Sequence, residues 1–282
     1  MKLRELKETA AGKLAEAGIE LPYLEVQVLF SRFLSLSKTR QILESEKEVE
    51  EADVRKVLSA VEERCSHTPL SYITGHREFY GLDFKVTPDT LIPRPDTEIL
   101  VETALEFLNG RKDAKILDMC TGTGCAGIAA AANASVSSLT LCDISRKALE
   151  CAKTNAKALL PPSLPVNFIL SDLFENIGDG DFDVIISNPP YIRKDYLETL
   201  SPEVRKEPAL ALFDDDIDGL GLCRKIASRA AQHLVRGGLL AIECDYRQTS
   251  ALSEIITQNG FTRVRTAKDL AGRERVVSGE RE

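Results

Sequence analysis

The sequence predicts an α/β domain built on a mostly parallel sheet, preceded by a smaller all-α module. Three observations carry this. Beyond Asn109-Gly110, apolar strand-like runs alternate with helical segments, the pattern of a parallel sheet covered on both faces. The first of these strands runs into a glycine loop, and an acidic residue ends the next one. Residues 1–75 instead carry only a helical period.

Composition sets the outer limits. The 282 residues are 43% hydrophobic and 28% charged, enough to bury a sizeable core. No apolar run approaches the roughly 20 residues that span a bilayer. The first ten residues, MKLRELKETA, are charged and lack the apolar centre of a signal peptide. A cytoplasmic protein without membrane contact is therefore expected. Seven cysteines form no C-x-x-C pair and only three histidines accompany them, so buried thiols and no metal site are expected. The formal net charge is −8, from 36 basic and 44 acidic residues. Neither residues 1–75 nor the remainder has the positive excess that phosphate-backbone binding requires, so no direct nucleic-acid contact is expected.

Within residues 1–75, Leu3, Leu6, Ala10 and Leu14 recur at helical spacing, with Gly18 placed to stop the helix. The segment from Leu21 to Leu36 is apolar on more than one side, as a central bundle helix would be. Ser37 can cap a short helix through Leu43. An acidic stretch from Glu44 to Asp53 precedes a helix carrying Val54, Val57, Leu58 and Val61. Residues 78–88 are aromatic and β-branched around a Gly-Leu-Asp turn, which suggests a hairpin arm. Asp96 or Thr97 can then cap a helix through Leu108. Strands are expected at 114–120, 138–144, 166–171, 182–188 and 238–244, with helices at 125–133, 145–158, 218–235 and 247–259. Residues 261–267 and 273–279 read as an antiparallel hairpin at the sheet edge.

The glycine loop runs Asp118-Met119-Cys120-Thr121-Gly122-Thr123-Gly124-Cys125-Ala126-Gly127. Its glycines let a ligand approach the backbone, and the following helix offers N–H groups at its start. Asp143 ends the second strand, where a carboxylate can accept bonds from both ribose hydroxyls of an adenosine cofactor. Asp172-Leu173 ends the third, where a polar group can meet an adenine edge and Leu173 cover its face. Gly122, Gly124 and Gly127 also satisfy G-x-G-x-x-G, so a nicotinamide-dependent oxidoreductase is an alternative.

Asn188-Pro189-Pro190-Tyr191 follows an apolar strand. The Asn188 side-chain oxygen and the Pro189 carbonyl are two acceptors that can converge on a planar NH2 group, while the Tyr191 ring packs against its carrier. Accepting both N–H bonds favours a pyramidal nitrogen whose lone pair can attack a methyl sulfonium in line. The proton can leave afterwards, so positioning and electrostatics dominate over base catalysis.

On these motifs the chain resembles the class I S-adenosylmethionine-dependent methyltransferases, and specifically the PrmC/HemK family of release factor glutamine N5-methyltransferases. The resemblance covers nearly the whole chain. It rests on Pro69 to Gly75, Glu78 to Gly81, Leu91 to Glu98, the glycine loop, Asn188 to Tyr191, Glu207 to Leu210, Asp218 to Leu220 and Asp269 to Arg273. It implies a Rossmann-like seven-stranded sheet with an antiparallel C-terminal hairpin, plus a small all-α N-terminal domain. The implied layout is a helical substrate-docking domain at 1–75, a hairpin arm at 76–95 and a catalytic domain at 96–282. It also implies S-adenosyl-L-methionine as cofactor, S-adenosyl-L-homocysteine as product, and the glutamine of the Gly-Gly-Gln motif in peptide chain release factors as substrate. The family's cofactor residues fall on Cys120, Thr121, Gly122, Thr123, Gly124, Asp143, Asp172, Leu173 and Asn188. Its substrate motif falls on Asn188, Pro189, Pro190 and Tyr191, with Asn188, Pro189 and Tyr191 closest to the chemistry.

One position departs. The family usually has glycine where this chain has Cys120, and Asp118-Met119-Cys120-Thr121-Gly122 is similar to the sister family PrmB, which methylates a large-subunit ribosomal protein. The intact Pro93-Arg94-Pro95-Asp96-Thr97-Glu98 segment favours the release-factor family. Further alternatives are methylation of an exocyclic amine of DNA or RNA, and a binding module that has lost its activity.

Overall fold

The computed structural model describes residues 1–178 and 180–282. They form two compact units: Met1–Gly75 with Ser201–Lys206, and His76–Leu200 with Glu207–Glu282.

The first unit contains α1 (Leu3–Glu16), α2 (Pro22–Phe33), α3 (Lys38–Leu43), α4 (Glu51–Cys65) and α5 (Leu70–Thr74). Leu6 and Leu14 of α1, Leu29 and Phe30 of α2, and Val57 and Val61 of α4 form its core. Gly18 follows α1 with φ 78°, a left-handed value that glycine adopts without Cβ strain. The Ser37 hydroxyl accepts the Arg40 N–H and caps α3. Although α2 packs against its neighbours, Tyr23, Leu24 and Val28 stay exposed, because so small a bundle cannot surround it. The acidic stretch runs into α4, placing Glu51 and Asp53 in the first turn, at the positive end of the helix dipole. Arg64 is buried and grips Glu25 through two nitrogens, at 2.6 and 3.1 Å, and Glu203 at 3.1 Å.

The second unit opens with the hairpin of β1 (His76–Phe79) and β2 (Leu82–Lys85). Its turn is Tyr80-Gly81, both left-handed, with φ 51° and 73°. The expected Gly-Leu-Asp turn is therefore one residue off, and Leu82 and Asp83 pair within the strand. Two positive φ values match the twist of a two-residue hairpin, which fixes the turn on Gly81 as its second residue. Lys85 is held by a side chain of the following domain: its N–H donates to Asn155 Oδ1 at 2.8 Å, and its carbonyl accepts from Asn155 Nδ2 at 3.0 Å.

A 3-10 turn, Pro95–Thr97, leads into α6 (Glu98–Leu108). Contrary to expectation, Thr97 makes no capping bond, and Asp96 pairs with Arg275 at 3.0 Å. The chain continues through β3 (Ala114–Met119), α7 (Cys125–Asn133), β4 (Val136–Asp143), α8 (Arg146–Leu159), β5 (Val166–Leu170) and β6 (Phe182–Ser187). A short parallel pair, β7 (Ile192–Arg193) and β8 (Phe213–Asp214), brackets α9 (Ala209–Leu212) in sequence, and no periodicity announced it. Then follow α10 (Gly221–His233), β9 (Leu234–Glu243), α11 (Thr249–Gln258), β10 (Phe261–Lys268) and β11 (Glu274–Arg281). The helix expected from 218 starts later because Asp218-Gly219 turns the chain, with Gly219 at φ 71°. Gln248 clasps this turn, donating Nε2 to the Asp218 carbonyl at 2.8 Å and to the Tyr191 carbonyl at 3.1 Å.

The seven-stranded sheet has the order β10-β11-β9-β6-β3-β4-β5. Its strands are parallel from β5 to β9, and β11 runs antiparallel to both β9 and β10. The expected edge hairpin is present, but its second strand is the inner one. Of these two strands β10 alone is an edge, with its register broken between Thr262 and Arg265 and again between Ala267 and Lys268. Helices α6, α7 and α8 cover one face through Leu100, Ile128 and Ala152; α10 and α11 cover the other through Ile226, Ala230 and Leu252. From β3 the chain progresses to β4 and β5 on one side and later to β6 and β9 on the other. That reversal opens a crevice beyond the carboxyl ends of the central strands. Among the described residues, no helix is long and apolar enough to cross a membrane.

Candidate active site

A cavity of about 280 Å³ lies at this crevice within the second unit. Its walls include Cys120, Thr121, Gly122, Thr123, Asp143, Asp172, Leu173, Asn188 and Pro190. Gly124, Pro189 and Tyr191 stand outside the lining. Asp89, Asp118, Asp143 and Asp172 are among the lining residues, with Arg94 the one arginine; Asp89 is paired with Lys147 at 2.9 Å. Such a balance favours a cationic ligand.

The end of β3 builds the glycine loop around Asp118, which is buried. Asp118 Oδ2 accepts the Thr121 hydroxyl at 2.6 Å and the Gly127 N–H at 2.9 Å. A Cβ at residue 127 would come within 2.7 Å of the Asp118 Cβ, so this glycine lets α7 close on β3. The third glycine of the dinucleotide-like pattern thus has a packing role. Burial pushes the Asp118 carboxyl up to about 7, against the lowering effect of its two hydrogen bonds. The Thr121, Gly122, Gly124 and Gly127 N–H groups all donate within the protein, so these four are not the ready donors the sequence suggested.

Cys120 has φ 61°, in the left-handed region. The position that departs from the family glycine is therefore one where the backbone conformation itself favours glycine. Burial raises the Cys120 thiol well above its ordinary range, which favours its protonated form. Leu173 is also left-handed, with φ 46°.

Asp143, at the end of β4, accepts the Gly122 N–H at 2.9 Å and the Ser145 N–H at 2.8 Å, one on each carboxylate oxygen. Each oxygen retains a second lone pair. Burial raises this carboxyl above its ordinary value while the backbone donors hold it down. The Ser145 hydroxyl caps α8, accepting the Ala148 N–H.

After β6, Ser187 ties its hydroxyl to the Met119 carbonyl at 2.8 Å, joining the ends of the two central strands. Asn188 donates Nδ2 to Thr97 Oγ1 at 3.0 Å, leaving Oδ1 as the acceptor of its amide. The Tyr191 hydroxyl donates to Glu243 Oε1 at 3.3 Å. Glu243 is buried, and burial pushes its carboxyl up to about 7 against the lowering effect of the nearby Thr97 and Tyr191 hydroxyls. Arg94 pairs with the buried Glu207, whose Oε2 also accepts the Ile92 N–H at 3.0 Å. This joins the segments Leu91 to Glu98 and Glu207 to Leu210, which are distant in sequence.

Thr97, Glu243, Asp118, Asn155 and the Arg94–Glu207 pair were not singled out from sequence. A carboxylate inside the apolar run of β9 was a legible signal for Glu243, since glutamate is seldom buried without a partner. Nothing in the sequence distinguished Asn155.

Two family models and several known proteins match the chain. Residues 5–75 match the family model described as the PrmC N-terminal domain, and residues 95–201 match the Methyltransferase small domain. A release factor glutamine methyltransferase of Fusobacterium nucleatum is 39% identical over 267 residues, spanning 94% of this chain and 75% of its own length. The protein of the same name from Agrobacterium fabrum is 37% identical over 278 residues, spanning 96% and 95%. The fold is similar to that of a methyltransferase from Pyrococcus furiosus, with a TM-score of 0.53 at 19% identity, covering 82% of this chain and 98% of the other. With a helical module matching one model, a catalytic module matching the other, and full-length relatives above 35% identity, the chain belongs to the S-adenosylmethionine-dependent release factor glutamine methyltransferase family.

Proposed function

We propose that the protein transfers a methyl group from S-adenosyl-L-methionine to the side-chain amide nitrogen, N5, of the glutamine in the Gly-Gly-Gln motif of peptide chain release factors. The observation that carries this is Asn188. Its Nδ2 is committed to Thr97, so its oxygen is the free end of the amide at the wall of a cavity that suits an adenosine cation.

The residues present fit the cofactor. Asp143 retains lone pairs for ribose hydroxyls, Leu173 supplies an apolar wall, and the surplus of carboxyl groups complements a sulfonium. The cofactor supplies an electrophilic methyl carbon, and its sulfur keeps the bonding pair as S-adenosyl-L-homocysteine is formed. Asn188 Oδ1 and the Pro189 carbonyl accept the two amide hydrogens of the glutamine and hold its nitrogen lone pair toward that carbon. With the cofactor bound, the N–C bond would form as its C–S bond breaks, and the amide would then give up one proton to solvent. No metal takes part in this reading. Residues 1–75 serve to dock the protein substrate, a role supported by their match to the family's own N-terminal module.

The test is mass spectrometry of purified release factor and ribosomal proteins after incubation with enzyme and cofactor. A gain of one methyl on the Gly-Gly-Gln glutamine is expected. Methylation of a ribosomal protein instead would assign the substrate to the PrmB-like alternative that Cys120 raises. Methyl appearing only in nucleic acid would refute both.

A further inference from the structure

S-adenosyl-L-methionine carries a carboxylate besides its sulfonium, and neither the Asp143 carboxylate nor the Asn188 oxygen can receive it. A carboxylate drawn out of water needs a charged or donor partner. Among the described residues that line the cavity there is no lysine or histidine, and Arg94 is the one arginine. Its place in the fold suits the task. Asp143 and Asp172-Leu173, the ribose and adenine candidates, follow β4 and β5, whereas Asn188 follows β6, on the other side of β3. With adenosine on one side and the methyl group at Asn188, the amino-acid tail of the cofactor belongs to the Asn188 end. Arg94 belongs there too: three residues on is Thr97, whose Oγ1 accepts Asn188 Nδ2 at 3.0 Å. Arg94 Nη2 donates to Glu207 Oε1, while Glu207 Oε2 accepts the Ile92 N–H at 3.0 Å, so both carboxylate oxygens are engaged. The Glu207 side chain is 1% exposed and that of Arg94 34%, so only the cation of this pair is within reach of a ligand. Among the described residues this is the one hydrogen bond of the Arg94 side chain, and Nε and Nη1 keep three of its five donors uncommitted.

We propose that Arg94 binds the α-carboxylate of S-adenosyl-L-methionine, and that Glu207 is the positioning residue that holds its guanidinium for this contact. A guanidinium with donors on three nitrogens can serve two carboxylates at once, one from the protein and one from the ligand. Bonds of this kind, with both partners charged, are stronger than neutral ones. Arg94 thereby distinguishes the amino-acid end of the cofactor from a bare adenosine thioether. This inference rests on the reading of S-adenosyl-L-methionine as the ligand of this cavity.

Calorimetry on the full-length protein tests it with two ligands that differ by one group: S-adenosyl-L-homocysteine and its decarboxylated form, S-adenosyl-3-thiopropylamine. Wild type should bind the first about ten- to a hundredfold more tightly, the range of a hydrogen bond to a charged group. Arg94→Met should abolish this preference: S-adenosyl-L-homocysteine weakens by about the same factor, while the decarboxylated ligand changes by less than about threefold. Glu207→Gln keeps an acceptor for the Ile92 N–H and should narrow the preference by loosening the guanidinium. Arg94→Met leaves a buried carboxylate unpaired; if it does not fold, combining it with Glu207→Gln removes both charges and decides the same question. Equal losses for both ligands in Arg94→Met would show a structural role and overturn the assignment. A wild type that binds the two ligands alike would overturn it as well. Unchanged affinities in Arg94→Met with a raised KM for release factor would give this arginine to the protein substrate instead. A full preference in Glu207→Gln would remove the positioning role. If wild type binds no S-adenosyl-L-homocysteine at all, the cofactor reading itself fails.

Discussion

Asn155, on α8, donates Nδ2 to the carbonyl of Thr123 in the glycine loop at 2.9 Å. The same side chain holds both backbone groups of Lys85 in the hairpin. One buried amide thus fastens the arm and the glycine loop to a single helix. Asn155→Ala would leave two carbonyls and one N–H without these bonds, at a cost of about 2–3 kcal/mol. We expect a lower melting temperature and a cofactor affinity reduced about tenfold. Calorimetry with S-adenosyl-L-homocysteine checks it, and an unchanged Kd would show that the loop holds its shape unaided.

Cys120 sets two effects against each other. A non-glycine residue in the left-handed region costs about 1–2 kcal/mol, while glycine loses a partly buried thiol and frees the unfolded chain. These nearly cancel, so Cys120→Gly should shift stability by less than about 1 kcal/mol. Cys120→Val has similar bulk but a branched Cβ in the same conformation, and should destabilise by about 2 kcal/mol. Denaturant titration of both separates backbone strain from packing: equal effects would mean that packing alone matters.

Asp118 and Glu243 give stability a distinctive pH dependence. Burial raises both carboxyls to about 7 in the folded protein, against about 4 when unfolded. Between those values the folded state holds protons that the unfolded chain has released. Their contribution is therefore complete below about pH 4, falls as pH rises to about 7, and is constant above. Each group adds a downward slope of at most about 1.4 kcal/mol per pH unit. Unfolding free energy measured from pH 5 to 8 should decline and then level, and Asp118→Asn should flatten the decline. An identical profile in that variant would rule out Asp118 as a source.

Arg64 bears on the helical unit alone. Removing it strands Glu25 and leaves Glu203 with only His67, at 3.4 Å; both carboxylates are partly buried. Arg64→Met should cost about 3 kcal/mol, because an unpaired carboxylate is worse than no pair at all. Adding Glu25→Leu should recover part of that loss. If the double variant is less stable still, the pair contributes favourably in its own right.

The parts of the fold set by periodicity were legible: the core strands β3 and β6 and helices α7 and α8 lie within two residues of expectation. What escaped was decided by partners distant in sequence. The short pair β7 and β8 has two residues per strand, too few to show any period. The hairpin turn moved to Tyr80-Gly81 because twist, and not composition, chooses its residues. In the site, Asn188, Asp143 and Asp172 announced themselves at strand ends beside recognisable motifs. Thr97 read as a helix cap because its neighbours suggested one, and only the fold brings it to Asn188. Its real task is a side-chain contact across 91 residues.

The crossed order of the last two strands has a consequence for how the sheet is completed. β10 precedes β11 in the chain, yet it borders β11 alone, and β11 alone borders β9. A nascent chain emerging in order would make β10 with nothing to pair against. Its place exists only once the later strand has threaded between it and the parallel core. The two must therefore zip together as a local hairpin and dock as a unit, or wait for a non-local pairing that is intrinsically slow. Arg275, which reaches Asp96 beside Thr97, travels on that later strand. The strand that completes the sheet thus also carries the arginine that pairs with Asp96, next to Thr97.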